Sequence, residues 1–177
     1  MVNQAITYFQ KSLAKGISSS CFFLGVMALE GKYVQQNTPL GLEFLLKGAA
    51  NDNAHCFYFL AKVYAEGELV EKNNKLEFHY LQQAAENGFV LSQHQLGIEY
   101  HKGVLTPKND RLALAWFREA ARNGYMASCH LAGDIFSDGN IAGLPQERAV
   151  ERDRLHALAM YMQAYQTGAL FLEQSMR

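Results

Sequence analysis

Four glycines in this chain stand at one fixed distance: Gly31, Gly67, Gly103 and Gly139 are each 36 residues apart. Other features keep nearly the same interval. A leucine followed by a small residue occurs at Leu24-Gly25, Leu60-Ala61, Leu96-Gly97 and Leu131-Ala132, at spacings of 36, 36 and 35. Asn37, Asn73 and Asn109 again lie 36 apart. The segment Ala113 to Gly124 matches residues 5–16, 42–53, 77–88 and 157–168. A period of this length is longer than one helix or strand. It marks a supersecondary unit that buries its apolar face only by stacking on its neighbours.

The unit reads as two helices. Residues 18–30 form a first helix that contains the dense apolar run 21–29 and that Gly31 ends, and Asn37 with Thr38-Pro39 opens the next helix as cap and first turn. Small residues at Ser20, Cys56, Ser92 and Ala127 fall one turn before each leucine. Tyr64 and Tyr100, one turn after theirs, are expected to wedge between helices. The Ala pairs 49/50, 84/85 and 120/121 play the close-packing part in the second helices. Trp116 is placed in a core column with Tyr8, Leu45, Tyr80 and Met160.

The expected organisation is a single domain over residues 1–177. A leading half-repeat (1–16) precedes repeats at 17–53, 54–88, 89–124 and 125–168, and a short cap covers 169–177. The fourth repeat carries eight extra residues between Gly139 and Ala157, rich in Arg and Glu. About nine helices plus a short last one and no sheet are expected.

Charge and cysteine usage narrow the function classes. A net charge of −1 supplies no basic field for nucleic acid. No apolar run approaches the ~18 residues of a membrane span. The N-terminus, taken as the native start, has neither a basic nor an apolar leader, so a cytoplasmic protein is expected. Cys21, Cys56 and Cys129 are odd in number and form no regular pairing column, which predicts three free, buried thiols.

The residue pattern of small residue, Leu-Gly, Tyr, Gly-x-x-Val, then Ala-x-x-Trp/Tyr-Phe/Leu-x-x-Ala-Ala-x-x-Gly resembles the Sel-one-like repeat (SLR), an αα-hairpin relative of the tetratricopeptide repeat. The resemblance covers nearly the whole chain. It implies an all-α αα-hairpin repeat solenoid wound as a right-handed superhelix, and an adaptor or scaffold function. The disulfide-rich branch of the family, with a cysteine pair in every repeat, does not fit these three cysteines.

No catalytic pattern accompanies the repeats. Six histidines include no HExxH and no zinc-spaced cluster, and the nearest metal pair, His94 and His101, lacks a third ligand. Phosphate-binding glycine loops and nucleophile elbows are missing, and no carboxylate pair suggests acid/base work. The expectation is therefore a monomeric, non-enzymatic scaffold with no metal or cofactor, binding a protein or peptide partner. An inhibitor or immunity-type protein, and a regulatory domain cut from a larger signalling protein, are the alternatives. Partner contacts are expected on the concave face lined by first helices. The candidates are Phe22, Val26 and Leu29, then Tyr58, Lys62 and Ala65, then His94, Ile98 and His101, and last Cys129, Gly133 and Phe136. The Arg148–Arg154 insert is the other candidate surface.

Overall fold

Each stretch of helix in this protein is bounded by a device that its repeat shares with the next. A computed structural model describes residues 19–137, with Thr7, Lys11 and Ala159. Seven helices run α1 (Ser19–Glu30), α2 (Thr38–Ala49), α3 (Ala54–Glu66), α4 (Asn74–Glu86), α5 (Val90–Lys102), α6 (Asp110–Arg122) and α7 (Ala127–Ser137), with no strand among the described residues. The chain divides into two compact units, Met1–Ser92 and Gln93–Arg177. The half-repeat at 1–16, the 139–157 insert and the cap at 169–177 lie outside the described residues.

Asn37, Asn73 and Asn109 cap α2, α4 and α6, their side-chain oxygens accepting backbone N–H bonds from Leu40, Leu76 and Leu112 at 3.0–3.1 Å. The same three asparagines donate their own N–H to the carbonyls of Ala28, Tyr64 and Tyr100, at 2.8, 3.0 and 2.7 Å. Each loop is thereby tied to the helix before it. Gly31, Gly67 and Gly103 end the first helices with φ of 65°, 71° and 72°, a left-handed turn that glycine adopts without steric cost.

In the first unit α1 packs on α2, α2 on α3 and α3 on α4. Its core is built from Cys21, Leu29, Leu45, Cys56, Phe57, Leu60 and Val63, with Tyr64, Phe59 and Tyr80 packed against it. In the second unit Phe117 of α6 fills the place where a Cβ on Gly97 would stand, 2.6 Å from the Phe117 ring. Ala113, Leu114, Ala132 and Ile135 complete that core, with Ile98 and Tyr100 against it. Tyr64 and Tyr100, expected to wedge between helices, are half-buried and packed against these cores.

The repeat register is stricter than the sequence spacing suggested. In α7 the fully buried residues are Ser128, Cys129 and Ala132, while Leu131 is half-buried and Ala127 exposed. Ala132-Gly133, not Leu131-Ala132, therefore continues Leu96-Gly97, and the interval is 36 throughout. A leucine outranks an alanine as an anchor in sequence, but the α6–α7 contact admits only the small side chain. A similar shift applies to α2. Leu45 shares its column with Leu81 and Phe117, all at 2% exposure or less. Gly48-Ala49 matches Ala84-Ala85 and Ala120-Ala121, and Ala50 is exposed. Trp116 accordingly sits with Phe44 and Tyr80 in a half-buried column, outside the innermost core.

Candidate functional site

In the first unit, helical spacing places His55, Phe59 and Lys62 on one side of α3, with Tyr58 between them. Phe22 on α1 approaches the same side, and its ring centroid lies 5.5 Å from His55 and 5.6 Å from Phe59. His55 continues to Phe89 at 5.0 Å, and Phe89 to Tyr58 at 4.6 Å. Five rings, Phe59–Phe22–His55–Phe89–Tyr58, thus form an unbroken chain across α1, α3 and the residue before α5. Phe23 joins at 5.2 Å from Phe22 and is 47% exposed. Lys62 Nζ stands 5.6 Å over the Phe59 ring and 3.6 Å from Glu66 Oε1. Edge-to-face and tilted ring pairs of this kind hold one another in place. The tract is pre-arranged, largely apolar and partly open to solvent.

In the second unit the expected candidates have intramolecular partners. His94 Nδ1 is 2.9 Å from Ser128 Oγ, and its ring packs on Tyr125 at 4.7 Å and Phe117 at 5.7 Å. Burial there pushes the imidazole below its ordinary pKa. His101 Nδ1 lies 2.6 Å from Asp110 Oδ1, whose other oxygen is 3.3 Å from Lys108 Nζ. Ile98 rests against the core of that unit. No group of three or more His, Cys, Asp or Glu among the described residues could hold a metal ion.

A family model for the Sel1 repeat matches residues 18–53, 56–89 and 90–125, more than half of the chain. The chain belongs to the Sel1-repeat family. A Sel1 repeat protein from Oxalobacter formigenes superimposes with TM-score 0.65 at 28% identity, covering 71% of this chain and 94% of that one. A protective antigen of uropathogenic Escherichia coli with an SLR fold gives TM-score 0.77 at 24% identity, covering 95% of this chain and 34% of the antigen. This chain thus spans about a third of that antigen's length. Cysteine rich protein B of Helicobacter pylori gives 0.58 at 21%, covering 73% and 93%. A comparison with curated proteins finds no match. Sel1-repeat proteins are generally scaffolds for protein–protein interaction and typically non-enzymatic.

Within these Sel1 repeats two expectations about site residues need correction. Leu29 does not face outward: it is 1% exposed, and a Cβ on Gly41 would strike it at 2.6 Å, because α1 and α2 close tightly there. Cys129 and Gly133 are buried as well. The strict interval of 36 replaces them with His130 and Asp134, both exposed, in the columns of His94 and Ile98. Phe136 has no described side chain. Phe22, Val26, Tyr58, Ala65, Ile98, His94 and His101 are half-buried and Lys62 is exposed. His55, Phe59 and Phe89 were missed. Their signal was present as an i, i+4 aromatic pair beside Tyr58, but periodicity alone does not say which rings meet.

The thiols of the Sel1 core are inert by environment. Cys21, Cys56 and Cys129 are free and fully buried. Burial raises all three, and Cys56, with Cys21 close by, is pushed up to about 12.

Proposed function

We propose that this protein is a non-enzymatic scaffold that seats a protein or peptide partner on the aromatic tract of its first unit. The observation that carries the reading is the unbroken ring chain Phe59–Phe22–His55–Phe89–Tyr58, with Lys62 at one end. Interface energy concentrates in rigid aromatic residues that lose little entropy when covered. Rings already held by other rings meet that condition. Tyr58 is the expected hot spot, since it is half-buried, carries a polar tip and packs on Phe89.

The test uses the full chain. Wild type and a Tyr58→Ala, Lys62→Glu double variant, shown by circular dichroism to be equally helical, are used to capture partners from lysate. Affinities of the captured protein are then measured. A loss of at least ~1–2 kcal/mol in the variant is the hot-spot scale expected. Equal affinities would place binding elsewhere on the molecule.

A further inference from the structure

The chain repeats a natural experiment in one dipeptide. Asn87-Gly88 ends α4 and Asn123-Gly124 ends α6, at equivalent places 36 residues apart. Their backbones are nearly superimposable: φ, ψ are −84°, 16° at Asn87 and −84°, 13° at Asn123. Both glycines are left-handed, at 82° and 93°, and both have open space where a side chain would be. Gly88 N–H donates to the Ala85 carbonyl at 3.1 Å, and Gly124 N–H to the Ala121 carbonyl at 3.0 Å. The asparagine side chains, however, take different partners. Asn87 Nδ2 donates to the carbonyl of Gln83, in the last turn of its own helix, at 2.9 Å and in solvent. Asn123 Nδ2 donates to Gln93 Oε1 on α5, at 2.9 Å, and Gln93 is 3% exposed.

Asn-Gly is the dipeptide in which a backbone nitrogen most easily reaches the preceding side chain, because glycine offers no Cβ to obstruct it. We propose that Asn87 is a site of spontaneous deamidation in the folded protein, and that Asn123 is protected from the same reaction by Gln93. In the reaction the Gly88 nitrogen loses its proton and attacks Asn87 Cγ. The new C–N bond closes a five-membered succinimide ring, the Cγ–Nδ2 bond breaks, and ammonia leaves with the proton. Water then opens the ring at either carbonyl, leaving aspartate or its backbone-shifted isomer, isoaspartate. The sum is one water consumed and one ammonia released, with no other reactant.

Two hydrogen bonds restrain the reaction: the glycine N–H must be freed, and the asparagine side chain must swing onto it. At Asn87 fraying of the last turn of α4 releases both together, because both acceptors, Ala85 and Gln83, lie in that turn. Helix ends open at far lower cost than the core. At Asn123 fraying of α6 frees the glycine but not the side chain, which stays tied to a buried residue of another helix. A third hairpin carries Asn51-Asp52 at the corresponding place, with Asn51 Nδ2 on the Lys47 carbonyl at 2.8 Å. Its aspartate side chain shields the attacking nitrogen, so it serves as a slow internal control. Deamidation at Asn87 puts a carboxylate at the C-terminal end of α4, where the helix dipole disfavours it. Where the scaffold reading holds, isoaspartate also lengthens the backbone by one carbon just before Phe89, a ring of the binding tract.

The experiment incubates the full chain at mildly alkaline pH, with and without urea, and maps acid-for-amide conversion peptide by peptide by mass spectrometry. No partner is needed, so its outcome is independent of the scaffold assignment. In buffer Asn87 is expected to convert at least about tenfold faster than Asn123, the difference between a frayed turn and an interhelix tie. In urea the two rates should converge, and Gln93→Met should raise Asn123 to the Asn87 rate while leaving Asn87 unchanged. If Gln93→Met does not fold, the wild-type ratio alone decides. Equal rates in buffer, or a faster Asn123, overturn the proposal.

Discussion

Replacing Gly48 with alanine tests whether the repeats are packed to a fixed volume. Gly48 lies in the last turn of α2, where a Cβ would overlap the Cys56 sulfur outright, 3.0 Å from Cys21 Cβ and 3.2 Å from Cys56 Cβ. Neither neighbour can retreat, since both cysteines are fully buried. Helix propensity favours the substitution by roughly 0.5–1 kcal/mol, and overpacking a closed core opposes it by roughly 1–3 kcal/mol. Crowding should win, leaving a net loss of about 1–2 kcal/mol. The other repeats show the remedy. The columns of Gly48 and Cys56 continue as Ala84 with Ser92 and Ala120 with Ser128, all fully buried. A larger residue on the second helix is matched there by a smaller one on the next first helix. Cys56→Ser should therefore rescue Gly48→Ala, with a favourable coupling of about 1 kcal/mol or more in a double-mutant cycle. Urea unfolding followed by circular dichroism gives the four stabilities. A stabilising Gly48→Ala, or effects that add within ~0.5 kcal/mol, would refute the volume argument.

Further outcomes follow from burial and charge. Leu60→Ala and Leu96→Ala, both at 0% exposure, should each cost ~2–5 kcal/mol, whereas Leu131→Ala should cost clearly less; equal urea midpoints for Leu131→Ala and Leu96→Ala would restore the 35-residue register. Glu99 stands in the column of Val63 and Ile135, and its Oε2 is buried with no hydrogen-bond partner among the described residues, so Glu99→Val should stabilise the fold by ~1 kcal/mol or more, and a destabilised variant would show the carboxylate to be engaged. The folded-state pKa of His94 lies below its ordinary 6.5, so the unfolded chain takes up a proton first as pH falls. Stability should be complete above about 6.5 and decline from there toward the lower folded-state value, and His94→Gln should flatten that slope in urea midpoints measured across the range. The three buried thiols should resist a thiol reagent in buffer and react at once in urea; fast native labelling would contradict their burial.

The sequence by itself determined the kind of fold, because a 36-residue period with caps at Asn37, Asn73 and Asn109 admits little else than stacked helical hairpins. Each cap acts within four residues of its partner, so spacing alone suffices to find it. The same holds for Gly31, Gly67 and Gly103, whose turn is local. What lies between helices was decided only in three dimensions. The register in α7 turned on which side chain the α6–α7 contact could hold, and there the small Ala132 displaced Leu131. Leu29 looked like a groove residue by column, but the close α1–α2 approach at Gly41 drew it inside. The aromatic tract depended on meetings across 31 or more positions, such as Tyr58 with Phe89 and Phe22 with His55. A periodic pattern states which residues share a face. Which of them touch is set by interhelix distance, and that distance is a property of the packed whole.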